Sequence, residues 1–267
     1  MHTRKQENDC SGFKYDHEGA YHWKFTYPKS IRKSNPRRHA FYDVPLDIVS
    51  KKLAVPLSKV MGVDIGCGDG VLLYKVSTRG GRILGIDLSL TGLRFAGEEI
   101  KKRSGVAPLV VNASCYSLPL PDDVFDYVVS IELIEHLAFP ENFVQESVRV
   151  LRPGGVFVCT TPRRASTDAS LSDPYHVREY TPRGLSELLS KRLEDAQVLG
   201  LLPAWLDRIY QIDKSGTQRW LMHRVARSCI KFLGFFWNPF RHMVSKHTDG
   251  RTDCAALIGV GRKPKAH

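Results

Sequence analysis

The chain has 267 residues, a net charge of +11 at pH 7, and 42% hydrophobic and 25% charged residues. This length holds one substantial α/β domain with additions, and the composition is ordinary for a globular protein. No apolar run approaches the ~18 residues that a membrane span needs, and the six cysteines are scattered without CxxC spacing. These features exclude a membrane-spanning protein and a cysteine-ligated metal module.

The basic charge and the N-terminal sequence bear on partners and location. A basic chain favours an acidic partner, such as RNA, an anionic membrane surface or a phosphorylated substrate. No charged-then-apolar leader opens the chain. We therefore expect a cytoplasmic protein with reduced thiols that can contact a membrane peripherally.

The first 35 residues are predicted to form a basic, aromatic arm or lid. Residues 21–27 (YHWKFTY) interleave aromatic and polar side chains, and no acid lies between Lys24 and Arg38. Such a segment can hold single-stranded nucleic acid through stacking and phosphate contacts. It can equally fold over a cofactor cleft, and the pattern does not choose between the two.

A glycine-rich loop follows an apolar run at residues 59–65, which predicts a buried strand. Gly66, Gly68 and Gly70 are separated by single residues, and an apolar-periodic segment resumes at Val71. Glycine allows sharp turns and close approach of a ligand, which predicts a nucleotide-type cofactor loop. A dinucleotide fingerprint would need glycine at position 71, and the acidic Asp64 would repel a pyrophosphate, so the loop suits a cationic or zwitterionic ligand.

Short apolar strands then alternate with helix-period segments, which predicts βαβ units and a parallel sheet. The predicted strands are 82–87, 108–113, 125–131 and 156–161, and the predicted helices are 88–103 and 142–151. The fold class is therefore α/β, a doubly wound, mostly parallel, seven-stranded Rossmann-like sheet. Ligands in such sheets bind beyond the carboxyl ends of the strands. Residues 64–70, 87, 112–114 and 130–132 all fall at those ends.

These residues resemble the motifs of class I S-adenosylmethionine-dependent methyltransferases over about residues 58–190. The family's acidic residue followed by G-x-G-x-G is matched at 64–70, and its D-A-x-x-x-x-L-P-F-P motif at 112–121, with Asn112 in place of the usual acid. Segments 125–129 (FDYVV) and 151–155 (LRPGG) resemble its fourth strand and the turn before its fifth. The resemblance implies S-adenosylmethionine as cofactor, bound by Asp64, Gly66, Cys67, Gly68, Gly70, Asp87, Leu88, Asn112, Ala113, Ser114 and Ile131.

Three of these residues have predicted roles. The Asp87 carboxylate can accept hydrogen bonds from both ribose hydroxyls, and Asp64 offsets the methionine ammonium. The amide oxygen of Asn112 can accept from adenine N6, more weakly than a carboxylate would.

The segment 131–136 (IELIEH) carries the chemistry of the acceptor side. If this turn is helical, Glu132, Glu135 and His136 share one face and can ligate a divalent cation, Mg²⁺ or Mn²⁺, or supply a general base. The E-x-x-E-H pattern resembles the ubiquinone-pathway O-methyltransferases and the small-RNA 2′-O-methyltransferases, in which these residues are associated with a metal. It also occurs in metal-independent members, where the His lines the acceptor pocket.

His176 lies on a polar loop before a helix predicted to begin at Thr181-Pro182, where it can act as a general base, as a fourth metal ligand or as a packing residue of the loop. Glu132, His136 and His176 are the predicted catalytic residues, and two imidazoles near the methyl group favour deprotonation of a hydroxyl. The predicted function is transfer of a methyl group to a hydroxyl of a small or lipid-linked acceptor. An RNA 2′-O-methyltransferase is the alternative, and a non-catalytic or NAD-binding protein is a remote one.

The sequence also predicts how the rest of the chain is divided. Residues 36–200 form the methyltransferase core, and 201–253 form a helical insertion before the last strand. Within the insertion, residues 220–236 place apolar and basic side chains on opposite helical faces, typical of an interfacial helix or of a helix packed on the domain. Residues 254–267 form a closing strand, predicted at 255–261, and a basic tail.

Overall fold

The computed structural model describes residues 12–28, 35–164, 171–203, 245–246 and 254–265. The helices are α1 (Gly12–Glu18), α2 (Tyr21–Thr26), α3 (Pro36–Leu53), α4 (Val71–Ser77), α5 (Leu90–Ser104), α6 (Pro140–Val150) and α7 (Pro182–Ser190). The strands are β1 (Met61–Ile65), β2 (Arg82–Asp87), β3 (Leu109–Asn112), β4 (Phe125–Ile131), β5 (Leu151–Pro162), β6 (Glu194–Pro203), β7 (Ser245–Lys246) and β8 (Cys254–Arg262).

The strands form one sheet in the order β3-β2-β1-β4-β5-β8-β6-β7. Strands β1 to β5 pair in parallel, whereas β8 pairs antiparallel with both β5 and β6. Seven of the described strands have between four and twelve residues, and the eighth, β7, has two. The predicted doubly wound, mostly parallel, Rossmann-like sheet is confirmed.

Some element boundaries differ from the predictions for identifiable reasons. Strand β1 begins at Met61 because Leu57–Lys59 form a 3₁₀ turn in front of it. Strand β5 begins at Leu151, since the chain crosses residues 153–155 with a shift in its pairing to β4 instead of breaking there. Strand β6 was not predicted; it begins in a polar stretch and ends at Pro203, past the boundary drawn at residue 200.

Helix starts follow capping chemistry. The Ser89 hydroxyl accepts a hydrogen bond from the Gly92 N–H, so α5 begins at Leu90. The Thr181 hydroxyl accepts from the Gly184 N–H with Pro182 at the first helical position, as predicted. Each cap lies at the end of a loop that leaves the carboxyl edge of the sheet, and so fixes the length of that loop.

Helices cover both faces of the parallel strands, and each face has its own core. One core contains Trp23, Leu46 and Tyr127, and the other contains Ile65, Phe143 and Phe157. The chain reverses direction across the sheet at β1, whose neighbours are β2 and β4. The loops that follow β1 and β4 therefore leave the same edge side by side and leave a crevice between them.

Two predictions concern the membrane and the thiols. No helix in the described ranges is long and apolar enough to cross a membrane. The predicted interfacial helix at 220–236 lies outside the described residues. Cys67, Cys115, Cys159 and Cys254 are free thiols.

Close packing at the switch point gives a first prediction. A Cβ at Gly62 would overlap the ring of Tyr127, which is fully buried, whereas a Cβ at Gly97 on α5 meets no atom within 4 Å. We expect Gly62→Ala to lower the free energy of unfolding by about 1–3 kcal/mol. Gly97→Ala, the matched control, should raise it by about 0.5–1 kcal/mol because alanine favours a helix. Urea denaturation measures both, and equal effects would contradict this packing.

Candidate active site

A cavity of about 440 Å³ lies at the carboxyl ends of β1, β2 and β4. The end near β1 and β2, called the cofactor end after the sequence prediction, contains Asp64, Gly66, Cys67, Asp69 and Asp87. The end near β4, called the acceptor end on the same basis, contains Ile131, Glu132, Glu135, His136 and His176. Residues of α1, α2 and α3 form the facing wall. The structure thus brings the three predicted catalytic residues and five of the eleven predicted cofactor residues into one space.

The glycine loop takes backbone conformations that favour glycine. Gly66, Gly68 and Gly70 have φ values of 80°, 52° and 83°. A Cβ at Gly66 would lie 2.9 Å from Leu133 Cδ2, and one at Gly68 would overlap the Tyr15 hydroxyl. The Gly66 and Cys67 N–H groups both donate to the Ile86 carbonyl, at 2.8 and 3.0 Å, which ties the loop to β2.

Asp87 ends β2 and fixes the loop from the other side. Its Oδ2 accepts from the Gly68 N–H at 2.8 Å, and its Oδ1 accepts from the Ser89 N–H at 2.7 Å. Burial raises the pKa of Asp87, and these two hydrogen bonds oppose the rise. Each oxygen keeps a second lone pair, so the carboxylate that holds the loop can also accept from ribose hydroxyls.

Asp64, at the end of β1, is a buried carboxyl at the cofactor end of the cavity, and one of its oxygens accepts no hydrogen bond from the described residues. Its side chain is 2% exposed, and no group among the described residues donates to its Oδ1. Burial, with a further contribution from the nearby Asp87, raises the pKa of Asp64 well above its usual range. A buried acceptor without a donor at the wall of a cavity fits a cationic ligand group such as an ammonium.

The outer part of the predicted cofactor set lies beyond the cavity wall. Leu88, Asn112, Ala113 and Ser114 are not among the lining residues, and neither are Gly68 and Gly70. The Asn112 Nδ2 donates to the carbonyl oxygens of Asp87 and Leu88, at 2.9 and 2.8 Å. Since carbonyl oxygens only accept, these contacts fix the amide orientation and leave Oδ1 as an acceptor.

Asp69 on the glycine loop holds the N-terminal segment in place by hydrogen bonds to His22 and Trp23. No role for this residue was predicted from the sequence. Asp69 is 1% exposed; its carboxylate accepts from the His22 N–H at 3.0 Å and meets His22 Nδ1 at 3.0 Å. The Trp23 Nε1 donates to the Asp69 carbonyl at 2.6 Å, and the Arg103 guanidinium lies 4.3 Å from the Trp23 ring centroid. The Trp23 ring is therefore buried against the domain, as in a lid.

At the acceptor end, the backbone departs from the predicted helical turn. Ile134–His136 form a short 3₁₀ turn, and Glu132 precedes it with φ 52°, a left-handed conformation rare outside glycine. The expectation that Glu132, Glu135 and His136 share one helical face is therefore wrong. They converge because all three line the same cavity.

The two predicted imidazoles are neighbours. The rings of His136 and His176 are 5.0 Å apart between centroids and nearly perpendicular, at 67°. His136 Nδ1 donates to the Tyr175 carbonyl at 3.1 Å, and His176 Nδ1 lies 2.6 Å from Glu179 Oε1. These contacts place a proton on His136 Nδ1 and orient both rings.

Glu179 was missed by sequence reasoning, although it lies three residues after His176. Burial opposes its ionisation, but hydrogen bonds from Ser172 and His176 outweigh burial and hold the pKa of Glu179 below its usual value. An ionised carboxylate on Nδ1 makes the imidazole a better base and a better metal ligand.

Glu135, His136 and His176 each offer a ligand atom, and the three atoms lie within 4.8 Å of one another. This group differs from the predicted metal set, because His176 takes the place given to Glu132. Glu135 is 1% exposed, and its Oε2 accepts from the Thr161 hydroxyl at 3.0 Å. Two imidazoles and one carboxylate form a donor set that fits a divalent cation.

Repulsion between buried carboxyls adds to this fit. Burial raises the pKa of Glu135 well above its usual range, and the charge of Glu132 raises it further. Burial also raises the pKa of Glu132, while the Thr160 hydroxyl and the charges of Arg38 and Arg37 oppose the rise. Glu132 Oε1 has no hydrogen-bond partner among the described residues.

Known proteins resemble this chain in sequence and in fold. Residues 63–159 match the family model described as a methyltransferase domain. The chain is 29% identical to the ubiquinone biosynthesis O-methyltransferase of Maricaulis maris, over 88% of this chain and 85% of that protein. It is 31% identical to the protein of the same name from Rhizobium johnstonii, over 58% of this chain and 64% of that protein. Phosphoethanolamine N-methyltransferase 2 of Haemonchus contortus shares the fold, with a TM-score of 0.60 and 16% identity, over 95% of this chain and 59% of that one.

The matched methyltransferase domain and the curated relatives, together with the doubly wound sheet, support a class I S-adenosylmethionine-dependent methyltransferase. Within the class it is related to the group of ubiquinone biosynthesis O-methyltransferases. The family implies S-adenosylmethionine as its cofactor.

Asp64 and Asp87 give a matched pair of variants. Because burial raises the pKa of Asp64, its ionisation destabilises the fold increasingly as pH rises from ~3.9, the unfolded value, to the folded value. Asp64→Asn removes that charge and should raise the melting temperature at pH 8 by about 2–4 °C for each kcal/mol regained. Asp87→Asn should lower it, since an amide cannot accept from both backbone N–H groups.

Both variants should weaken S-adenosylhomocysteine binding by about 1.5–3 kcal/mol in calorimetry, because each removes a charge-assisted hydrogen bond. Without ligand, the two variants should differ in thermal unfolding, with a higher melting temperature for Asp64→Asn and a lower one for Asp87→Asn. Unchanged affinity in either variant would contradict the proposed ligand placement.

Proposed function

We propose that this methyltransferase transfers a methyl group from S-adenosylmethionine to a hydroxyl of a small or lipid-linked acceptor. The observation that carries the proposal is the oriented pair of imidazoles, His136 and His176, at the acceptor end of the cavity. A hydroxyl must lose its proton when it is methylated, so basic groups at this position support an oxygen acceptor. The relatives named ubiquinone biosynthesis O-methyltransferase support the same atom.

The residues of the cofactor end would hold the donor in line with the acceptor. Asp64 would accept from the ammonium, Asp87 from the ribose hydroxyls, and the Asn112 Oδ1 from adenine N6. Methyl transfer from a sulfonium is an in-line displacement, and much of its rate can come from alignment. The loop that Asp87 and Ile86 hold by hydrogen bonds is the rigid support that such alignment requires.

We further propose that Glu135, His136 and His176 hold a divalent cation such as Mg²⁺ or Mn²⁺. Bound there, the cation would lower the pKa of a coordinated hydroxyl. Two features support it. Both imidazoles have Nδ1 engaged by an oxygen, the usual second contact of ligating histidines. Glu135 is buried beside Glu132, and both burial and the Glu132 charge raise the pKa of Glu135, so a nearby cation would stabilise its ionised form. Glu132, with its unpartnered oxygen, would accept the acceptor's proton.

Labelled cofactor identifies the acceptor. The protein is incubated separately with simple catechols, a lipid extract and total RNA, and label is expected in the catechol or lipid fraction. His136→Ala should lower turnover by about 10²–10⁴-fold with unchanged S-adenosylhomocysteine affinity, because the imidazole lies at the acceptor end. Arg183→Gln, at an exposed side chain on α7, is the control. Label in RNA alone would overturn the proposal in favour of an RNA methyltransferase.

Chelation tests the cation. Dialysis against EDTA should abolish methylation, and Mg²⁺ or Mn²⁺ should restore it, while S-adenosylhomocysteine affinity stays the same. Titration of Mn²⁺ followed by electron paramagnetic resonance reads binding independently of activity, and His176→Ala should weaken it. Activity that survives EDTA but falls in His136→Ala would mean that the imidazole acts as a base without a metal.

A further inference from the structure

The first turn of α3 carries charges that oppose helix stability. Helix N-termini favour acidic side chains, yet the first turn of this 18-residue helix contains Arg37 and Arg38 and no acid. Asn35 caps the helix by accepting from the Arg38 N–H at 3.3 Å, so the start of the helix is well defined. Local rules that are broken without local compensation commonly mark functional sites.

The Arg38 side chain lies half-buried in the wall of the cavity. Its guanidinium lies 5.8 Å from the Phe25 ring centroid, and it forms no ion pair with any carboxylate in the part of the chain that the structure describes. Arg37 lines the same wall, with its guanidinium 5.5 Å from the Phe41 ring centroid. A guanidinium held in place by an aromatic ring is well suited to bind an oxyanion.

The surroundings of the two arginines specify more of the ligand. Three aromatic side chains also line the cavity: Phe41 and Tyr42, one turn further along α3, and Tyr21 on α2. These side chains can contact an aromatic ring of a ligand. Arg37 and Arg38 are close enough to Glu132 for their charges to act on it. The arginines therefore share the acceptor half of the cavity with the groups proposed to activate a hydroxyl.

We propose that Arg38, assisted by Arg37, forms an anion-binding subsite in the acceptor half of the cavity, and that the acceptor is a hydroxylated aromatic compound bearing a carboxylate or phosphate. The inference rests on the proposed transfer to a hydroxyl. The hydroxyl lies at Glu132, His136 and His176, the ring lies against the aromatic wall, and the anionic group meets the Arg38 guanidinium.

The test compares acceptors that differ in charge. Methylation of 3,4-dihydroxybenzoate, 3,4-dihydroxyphenylphosphonate and catechol is measured for the unmodified protein, Arg38→Gln, Arg38→Lys and the control Arg183→Gln. We expect Arg38→Gln to lower the ratio of kcat/KM for an anionic acceptor to that for catechol by about tenfold or more, mainly through KM. Arg38→Lys should restore part of the ratio, since lysine keeps the charge but loses the planar fork.

The melting temperature of Arg38→Gln separates recognition from structure. Removing a positive charge from the first turn should leave the melting temperature unchanged or slightly higher. The two anionic probes distinguish a carboxylate from a phosphonate, the analogue of a phosphate, as the preferred group. An unchanged ratio in Arg38→Gln with catechol still methylated would overturn the subsite and leave the proposed function standing, whereas absence of methylation of every hydroxyl probe would overturn the proposed function itself.

Discussion

The reversal of strand order at β1 is the constraint on which the rest of this molecule depends. Because β2 and β4 pair with opposite sides of β1, the loops after β1 and β4 diverge and leave a crevice at one edge of the sheet. Asp64, Asp87 and Glu132 all stand at or beside the carboxyl ends of these strands. The pairing of β1 with β4, and not sequence proximity, brings together groups as far apart in the chain as Asp64 and Glu132.

The residues around this crevice include buried carboxyls and a strained backbone conformation, both of which lower the stability of the fold. Asp64 and Glu135 are buried carboxyls whose pKa values are raised, and Glu132 also adopts a left-handed backbone conformation. Such groups destabilise a folded protein unless a ligand compensates them. The two cores on either side of the sheet supply the burial that tolerates this local cost. A ligand-free protein therefore holds unfavourable charges in the positions where an ammonium at one end and a cation at the other would be most stabilised.

Much of this arrangement could be predicted from the sequence, because its signals are local. The glycine loop, the acid that ends β2 and the cap at Thr181 depend on single-residue chemistry, and each was found where the sequence placed it. The 3₁₀ turn at 134–136 could not be predicted, since the pattern E-x-x-E-H fits an α-helical face equally well. Asp69 and Glu179 were missed because their roles depend on partners, His22 and His176, whose spatial positions a single sequence does not reveal.

The N-terminal segment connects the two halves of the cavity. His22 and Trp23 hold it to Asp69 on the cofactor loop, while α2 packs on α3, whose first turn carries the two arginines of the acceptor wall. An ordered cofactor loop therefore favours the docked position of α2, and docked α2 in turn positions Phe25 beside the Arg38 guanidinium. The cofactor loop and the wall that carries Arg38 are therefore linked through the contacts of one short segment.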